Sequence, residues 1–355
     1  MAEWANQSLP RSKERHLDEW KLPPVIFEEM PFLPLTQLVD WYIRDLGISD
    51  LWADYGRGDG ITVAVLDTGQ PDHLDLIEAS GKSKDFTGSA RGVRDFQGHA
   101  QHVGGIIGAR DNEAGTVGVA PKCTLMFGKV LGDSGSGGSQ GIAAGIDWAV
   151  ENGADVISMS LGSPMPSPDI KSAVERVPPH VVLCCAAGNS GPVESTEFPA
   201  AWERAISVGS TNQLRQVSRF SSRNIHVDIA APGEKITSCY LGNTTVTLSG
   251  TSMACPVVAG LAALAKGFAA RTNRPVPGHD LIAQWLRETA DDIAAPGVDT
   301  ASGWGLINPR KFLERVKNVP PVVTQPPVTQ PPITLTTITV AGTHLVPGTY
   351  RVTPN

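Results

Sequence analysis

The chain has 355 residues, 41% of them hydrophobic and 18% charged, with a formal net charge of -7. Such a length fits one large single-core domain with appendages, and such a composition excludes a mostly disordered chain. The acidic balance without a long basic run argues against non-specific nucleic-acid binding. The apolar run 258–270 is short and holds Lys266, so no membrane span is expected.

Residues 1–35 read as an extended N-terminal arm, polar at first and then punctuated by Pro23, Pro24, Pro31 and Pro34. Its first twenty residues lack the apolar core and small-residue cleavage site of a secretion signal, so the expected compartment is cytoplasmic. The cysteines fit that setting: Cys123, Cys184, Cys185, Cys239 and Cys255 are odd in number and lack paired ligand spacing. Reduced, buried thiols are expected, with Cys184 and Cys185 on opposite faces of one strand.

Between about 36 and 316, apolar runs at 61–67, 123–131, 155–162 and 181–189 read as buried strands. The segments 139–153 and 167–177 between them read as helices. This alternation implies an α/β fold, a doubly wound and mostly parallel sheet with helices on both faces. Functional groups in such folds gather at the C-terminal ends of the strands. Residues 317–333 form a Pro-rich linker, and 334–355 a Thr-rich β-type tail. A lone hairpin is marginal, so the tail is expected to dock on the core, on a second copy or on an assembly partner.

A serine hydroxyl becomes nucleophilic when a base takes its proton and a carboxylate orients that base. Asp67 ends the run VAVLD before Thr68-Gly69, His99 opens a small-residue helix in GHAQHVGGIIGA, and Ser252 follows a Gly-Thr turn in LSGTSMACPVVAG. Pro256 is expected to be tolerated as a first-turn residue of the helix that Ser252 opens. These three segments resemble the Asp, His and Ser signatures of the subtilase family, and they follow one another in the chain order for which that family is known. The similarity runs from about residue 36 to about 316 and is strongest to the intracellular subtilisins.

The resemblance implies a serine endopeptidase acting on polypeptide substrates through Asp67, His99 and Ser252, with Asn189 as an oxyanion donor. Ser160, Leu161 and Gly162 would form one edge of the substrate cleft, and Gly135, Ser136 and Gly137 the other. Ala187, Gly188 and Glu197 would line the primary specificity pocket, where a carboxylate favours Lys or Arg; the alternative is a solvated loop charge. Ser139, where many relatives carry an aromatic lid, suggests an open distant pocket. A structural Ca²⁺ would be held by Asp75 and Asn112 with the carbonyls of Arg110, Ala114 and Thr116, unless this is a polar loop held by its own hydrogen bonds. His102 is read as a structural neighbour of His99, not as a metal ligand.

Two departures stand out. Ala100-Gln101 replaces the family's Gly-Thr beside His99, which narrows the cleft or shifts the ring, and Cys255 replaces a small residue. Ala100-Gln101, the absence of a secretion signal and the Thr-rich tail support the alternative of a catalytically impaired scaffold or binding module, while Cys255 reads as a small buried hydrophobe. For regulation, the arm containing residues 28–37 is expected to lie back across the cleft as an inhibitor.

Overall fold

A strand covered on both faces can be apolar without interruption, because no face needs polar residues for water. The structure, a computed structural model, describes residues 19–29, 32, 36–77 and 80–322. Expectations for residues 1–18, for Pro31 and Pro34, for the linker beyond Val322 and for the 334–355 tail lie outside the described residues. The strands in chain order are β1 (Glu19–Lys21), β2 (Ile26–Phe27), β3 (Thr62–Asp67), β4 (Ser80–Asp85), β5 (Thr124–Lys129), β6 (Ser136–Gly138), β7 (Val156–Met159), β8 (Val182–Ala186), β9 (Ile206–Thr211), β10 (Ile229–Pro232), β11 (Ile236–Tyr240) and β12 (Thr244–Ser249).

Seven of them form a parallel sheet in the order β10-β9-β8-β7-β3-β5-β4, with the four expected strands at its centre. Alternation along β3 sends Val63 and Val65 into one apolar cluster and Ala64 and Leu66 into the other. Cys184 and Cys185 divide in the same way, and all five thiols are free and buried. The helices Ser139–Glu151 and Pro168–Arg176 cover one face through Ile142, Ile146, Ile170 and Val174. His99–Gly108 and Thr251–Arg271 cover the other through Val103, Ile106, Met253 and Leu261.

The Ser252 helix corrects two expectations. It runs 21 residues, and by length and apolar composition it is long enough to cross a bilayer, unlike the run read from sequence. It is instead the core helix, with 94% of that apolar window buried inside the protein. Lys266 is buried with it and donates to the carbonyls of His180 at 2.8 Å and Pro277 at 3.2 Å. Pro256 is not a first-turn residue, since the helix begins at Thr251. Its missing N–H frees the Ser252 carbonyl, which accepts instead from Ser160 Oγ at 3.0 Å. A strand-end residue thereby becomes tied to the helix that carries Ser252.

Two small sheets complete the frame. β1 pairs antiparallel with β6, and β2 lies on the outer edge of β12, whose other edge is paired with β11. Both outer strands come from the N-terminal arm.

Candidate active site

Asp67 leaves the centre of the sheet at the C-terminal end of β3 and is buried. Both its carboxylate oxygens lie 2.9 Å from His99 Nδ1, and Oδ1 also accepts from the Thr68 N–H at 2.7 Å. Its main-chain carbonyl takes the N–H groups of Val130 and Leu131, which fixes the strand end. Gly98, in the left-handed region at φ 93°, lets the chain turn into the His99 helix where any Cβ would strike the Tyr240 ring. With Nδ1–H given to Asp67, the lone pair of His99 resides on Nε2. Among the described residues that buried atom has no hydrogen-bond partner.

Asp95 and Lys129, not singled out by sequence, hold this corner together. Buried Asp95 accepts from Thr68 Oγ1 and from the N–H groups of Gln97, Gly98 and Gln101 at 2.9–3.1 Å. Burial, and secondarily the charge of Asp67, raises its carboxyl above the usual range. The buried ammonium of Lys129 donates to the carbonyls of Thr68 and Arg94 and to Asp133 at 2.6–3.1 Å. The Ala100-Gln101 substitution does not pull His99 off Asp67. Its cost falls on Gln101, fully buried with neither amide atom partnered among the described residues.

Ser252 is the second residue of the core helix, which packs against the His99 helix. Its hydroxyl is turned toward the Ser160 carbonyl, 3.5 Å away. Asn189 is anchored one residue upstream: its Oδ1 accepts from Thr251 N–H at 2.9 Å and from Thr251 Oγ1 at 2.8 Å. That leaves its amide N–H₂ facing outward, where it donates to the Pro24 carbonyl at 2.8 Å.

The sequence-predicted cleft edges do come together, and the arm lies between them. Glu19, Trp20 and Lys21 pair with Gly138, Gly137 and Ser136. Leu22 N–H donates to the Gly135 carbonyl at 3.0 Å, while Lys21 exchanges N–H and C=O bonds with Gly162 at 3.3 and 3.1 Å. The segment between the edges is thus residues 19–25, upstream of the expected 28–37. Glu28 and Phe32 instead pair with the edge of β12, and Gln37 and Leu38 with the 113–116 loop. The pocket suggested by Ser139 is not open here: the Trp20 side chain is 1% exposed, in the cluster that holds Leu131, Ile142 and Leu161.

Glu197 sits between Gly188 of the predicted pocket and Gly162 of the predicted cleft edge. A Cβ on Gly188 would come within 2.5 Å of its Cγ, and one on Gly162 within 3.3 Å of its Oε2. Burial raises its carboxyl, opposed by a hydrogen bond from Ser190 and by the charge of Lys21.

Asp75 is enclosed by the 110–116 loop. Its carboxylate accepts from Asn112 Nδ2 at 3.2 Å and Thr116 N–H at 2.9 Å, and the Ala114 N–H donates to Asn112 Oδ1 at 3.2 Å. Gln37, overlooked in the sequence, donates from Nε2 to the Arg110 carbonyl at 2.9 Å. On its other flank Asp75 approaches His73 and Cys239, their ligand atoms within 4.8 Å of one another. His73 has no lone pair left there: Nδ1 accepts the Asp75 N–H, and Nε2 faces the Thr244 carbonyl. His102, placed between β11 and β12, turns Nε2 to the carbonyls of Ile236 and Val246 at 3.2 and 3.1 Å.

Known proteins resemble this chain in sequence. A family model described as the Subtilase family matches residues 58–305. The chain is 39% identical to the major intracellular serine protease of Bacillus subtilis (strain 168) over 277 residues, 73% of this chain and 87% of that protein. It is 43% identical to an intracellular serine protease of Paenibacillus polymyxa over 244 residues, covering 66% of this chain and 75% of that one. With Subtilisin Savinase of Lederbergia lenta the identity is 42% over 252 residues, 71% of this chain and 90% of the other.

Burial holds the rings of His102 and His279 neutral, each with a pKa lowered to about 3. A histidine whose folded pKa lies below its unfolded value of about 6.5 contributes stability above that value and loses it as pH falls. His279→Gln removes one such group far from His99. The stability difference between wild type and this variant is expected to change by about 1.4 kcal/mol per pH unit below about pH 6.5. Denaturant midpoints taken across that range measure it, and a pH-independent difference would refute the assignment.

Proposed function

The chain belongs to the subtilase family, and on that footing we propose that Asp67, His99 and Ser252 form the triad of a subtilisin-type serine endopeptidase. The observation that carries this reading is the buried Asp67–His99 contact, which leaves Nε2 unpartnered beside the Ser252 helix. Ser252 Oγ, rotated away from the Ser160 carbonyl, attacks the peptide carbonyl carbon as His99 Nε2 takes its proton. Asp67 holds the tautomer and stabilises the imidazolium. The tetrahedral oxyanion is met by Asn189 Nδ2 and the Ser252 N–H at the helix N-terminus, a donor of this kind being worth about 2.7–4 kcal/mol. His99 then protonates the leaving amine as the C–N bond breaks, and water releases the acyl group by the reverse sequence.

Glu197 supports cleavage after Lys or Arg, because a half-buried carboxylate at a pocket floor gains most from a cationic partner. Ser252→Ala is expected to abolish cleavage of unfolded casein and of a peptide library, read by mass spectrometry. Glu197→Gln is expected to keep cleavage and to lower the Lys/Arg preference at least about tenfold. A wild-type library without basic residues before the cuts removes the specificity claim and leaves the triad.

The arm is read as an inhibitor. It takes the main-chain bonds that a substrate would use, and the Pro24 carbonyl occupies the Asn189 donor. Pro23 and Pro24 also bring no N–H to this stretch. In the full-length chain, Trp20→Ala removes a buried anchor worth about 3–5 kcal/mol, so initial activity should rise at least about tenfold. Unchanged initial rates would sink this reading. The names of the two intracellular relatives support a cytoplasmic protease, the setting in which such restraint is needed.

A structural Ca²⁺ is proposed at Asp75. Turning the terminal amides of Asn112 and Gln37 would present their oxygens beside the Asp75 carboxylate and the Arg110 carbonyl, an oxygen set that suits this ion. Ala114 and Thr116 would add carbonyls from the same loop. Millimolar calcium should raise the melting temperature above that in excess chelator, and Asp75→Asn should abolish the shift. Equal melting in calcium and chelator would argue against the site.

A further inference from the structure

The arm leaves one part of its path unexplained by inhibition alone. Beyond Pro24 the chain continues along β12, where Ile26 and Phe27 register with Ser249 and Leu248. Glu28 N–H then donates to the Thr247 carbonyl at 3.0 Å, and Phe32 exchanges N–H and C=O bonds with Thr245 at 2.9 and 2.7 Å. Among the described strands nothing else pairs with this edge, since the other side of β12 is bound to β11. The segment lies downstream of the carbonyl held by Asn189, which is the leaving-group side of a bound polypeptide.

Side-chain contacts along this strip are uneven. Ile26 and Phe27 are 47% and 56% exposed, so the strip asks little of them. Glu28 makes the shorter of two acidic contacts: its Oε1 accepts from Ser249 Oγ at 2.6 Å, while Glu29 Oε2 accepts from Thr247 Oγ1 at 3.3 Å. Ser249 Oγ in turn accepts the Lys235 N–H at 2.8 Å. With one lone pair so engaged, the hydroxyl proton is directed outward along the edge, where it suits an acceptor and not an ammonium. A charged acceptor gains about twice what a neutral one does. Arg219 and Glu234 line the cavity beside Glu28 with opposite charges, so the hydroxyl and not the cavity sets the sign.

We propose that the exposed edge of β12 is a recognition strip for the leaving-group side of polypeptide substrates, selecting, four or five places beyond the cut, an acidic residue whose carboxylate reaches the Ser249 hydroxyl. The arm is the internal occupant of this strip, and substrates replace it there by strand addition. Tolerance at the two preceding positions follows from the exposure of Ile26 and Phe27.

The inference rests on the endopeptidase reading, and the test separates the two. Full-length protein carrying Trp20→Ala is given quenched-fluorescence peptides with one sequence up to the cut. A single Glu, or a Gln in its place, is moved through the third to sixth positions after the cut. The expected result is a Glu-to-Gln ratio of kcat/KM of about three to ten at the fourth or fifth position and about one elsewhere. In the Ser249→Ala background that ratio falls to about one, while Ser249→Thr, which keeps a hydroxyl, retains it. Ratios are insensitive to how much of a variant folds. Cleavage with flat ratios at every position overturns the recognition strip and leaves the protease standing. A preference that survives Ser249→Ala overturns the assignment to Ser249. Absence of cleavage of both these peptides and casein takes the inference down with the function it rests on.

Discussion

A buried carboxylate needs hydrogen bonds on both oxygens, and Asp67 imposes that demand on the centre of this fold. The nearest groups are arranged to meet it. Nδ1 of His99 is equidistant from the two oxygens, Thr68 supplies a main-chain N–H, and the Asp67 carbonyl is held by β5's extension. Asp95 gathers the loop that begins the His99 helix, and Lys129 ties the same corner from beneath through carbonyls on both sides. A histidine that cannot rotate has only one nitrogen to offer, which is the geometric root of the proposed chemistry. The departure at Ala100-Gln101 is absorbed because the fixed points lie on Thr68 and Asp95, not on the substituted side chains.

The second constraint is that unpaired strand edges seek partners. The cleft is bounded by the Gly135–Gly138 segment and by Gly162, and among the described residues each offers main-chain groups with no sheet neighbour beyond the arm. The arm satisfies them with its backbone and adds one deep side chain, Trp20. This division of labour explains why its other residues are so varied in exposure. Leu22 is half-buried and Lys21 exposed, while Trp20 is wholly enclosed. Main-chain pairing supplies register without sequence preference, and a single buried aromatic supplies affinity.

Much of this was legible in the sequence, and the reasons differ from part to part. Buried parallel strands announce themselves as unbroken apolar runs, so the four central strands and the two helices beside them were readable within a few residues. Asp67, His99 and Ser252 were readable because each lies at a strand end or helix start beside small residues. What was not legible depends on partners distant in the chain. Trp20 is polar-arm composition until it is buried in the cluster that holds Leu131 and Ile142, and Gln37 is an ordinary glutamine until the Arg110 carbonyl faces it. The start of the core helix at Ser252 was readable, but how Pro256 is tolerated beyond its first turn was not. Ser160, more than 90 residues away, supplies the hydrogen bond that the Ser252 carbonyl loses to that proline.

These two constraints bear on each other through the arm. An occupant that only filled the edges at Gly135–Gly138 and Gly162 would leave β12 open, and one that only paired with β12 would leave those edges open. The arm spans both and passes the Asn189 donor between them, so each half raises the effective concentration of the other. Losing either half therefore weakens the whole by more than its own contacts. A substrate binding to the same surfaces inherits the same coupling. In the proposed reading, what sets a substrate apart from the arm is not its pairing but the peptide bond it brings to Asn189, where the arm brings Pro23 and Pro24. Restraint and recognition are, in that proposal, one set of hydrogen bonds.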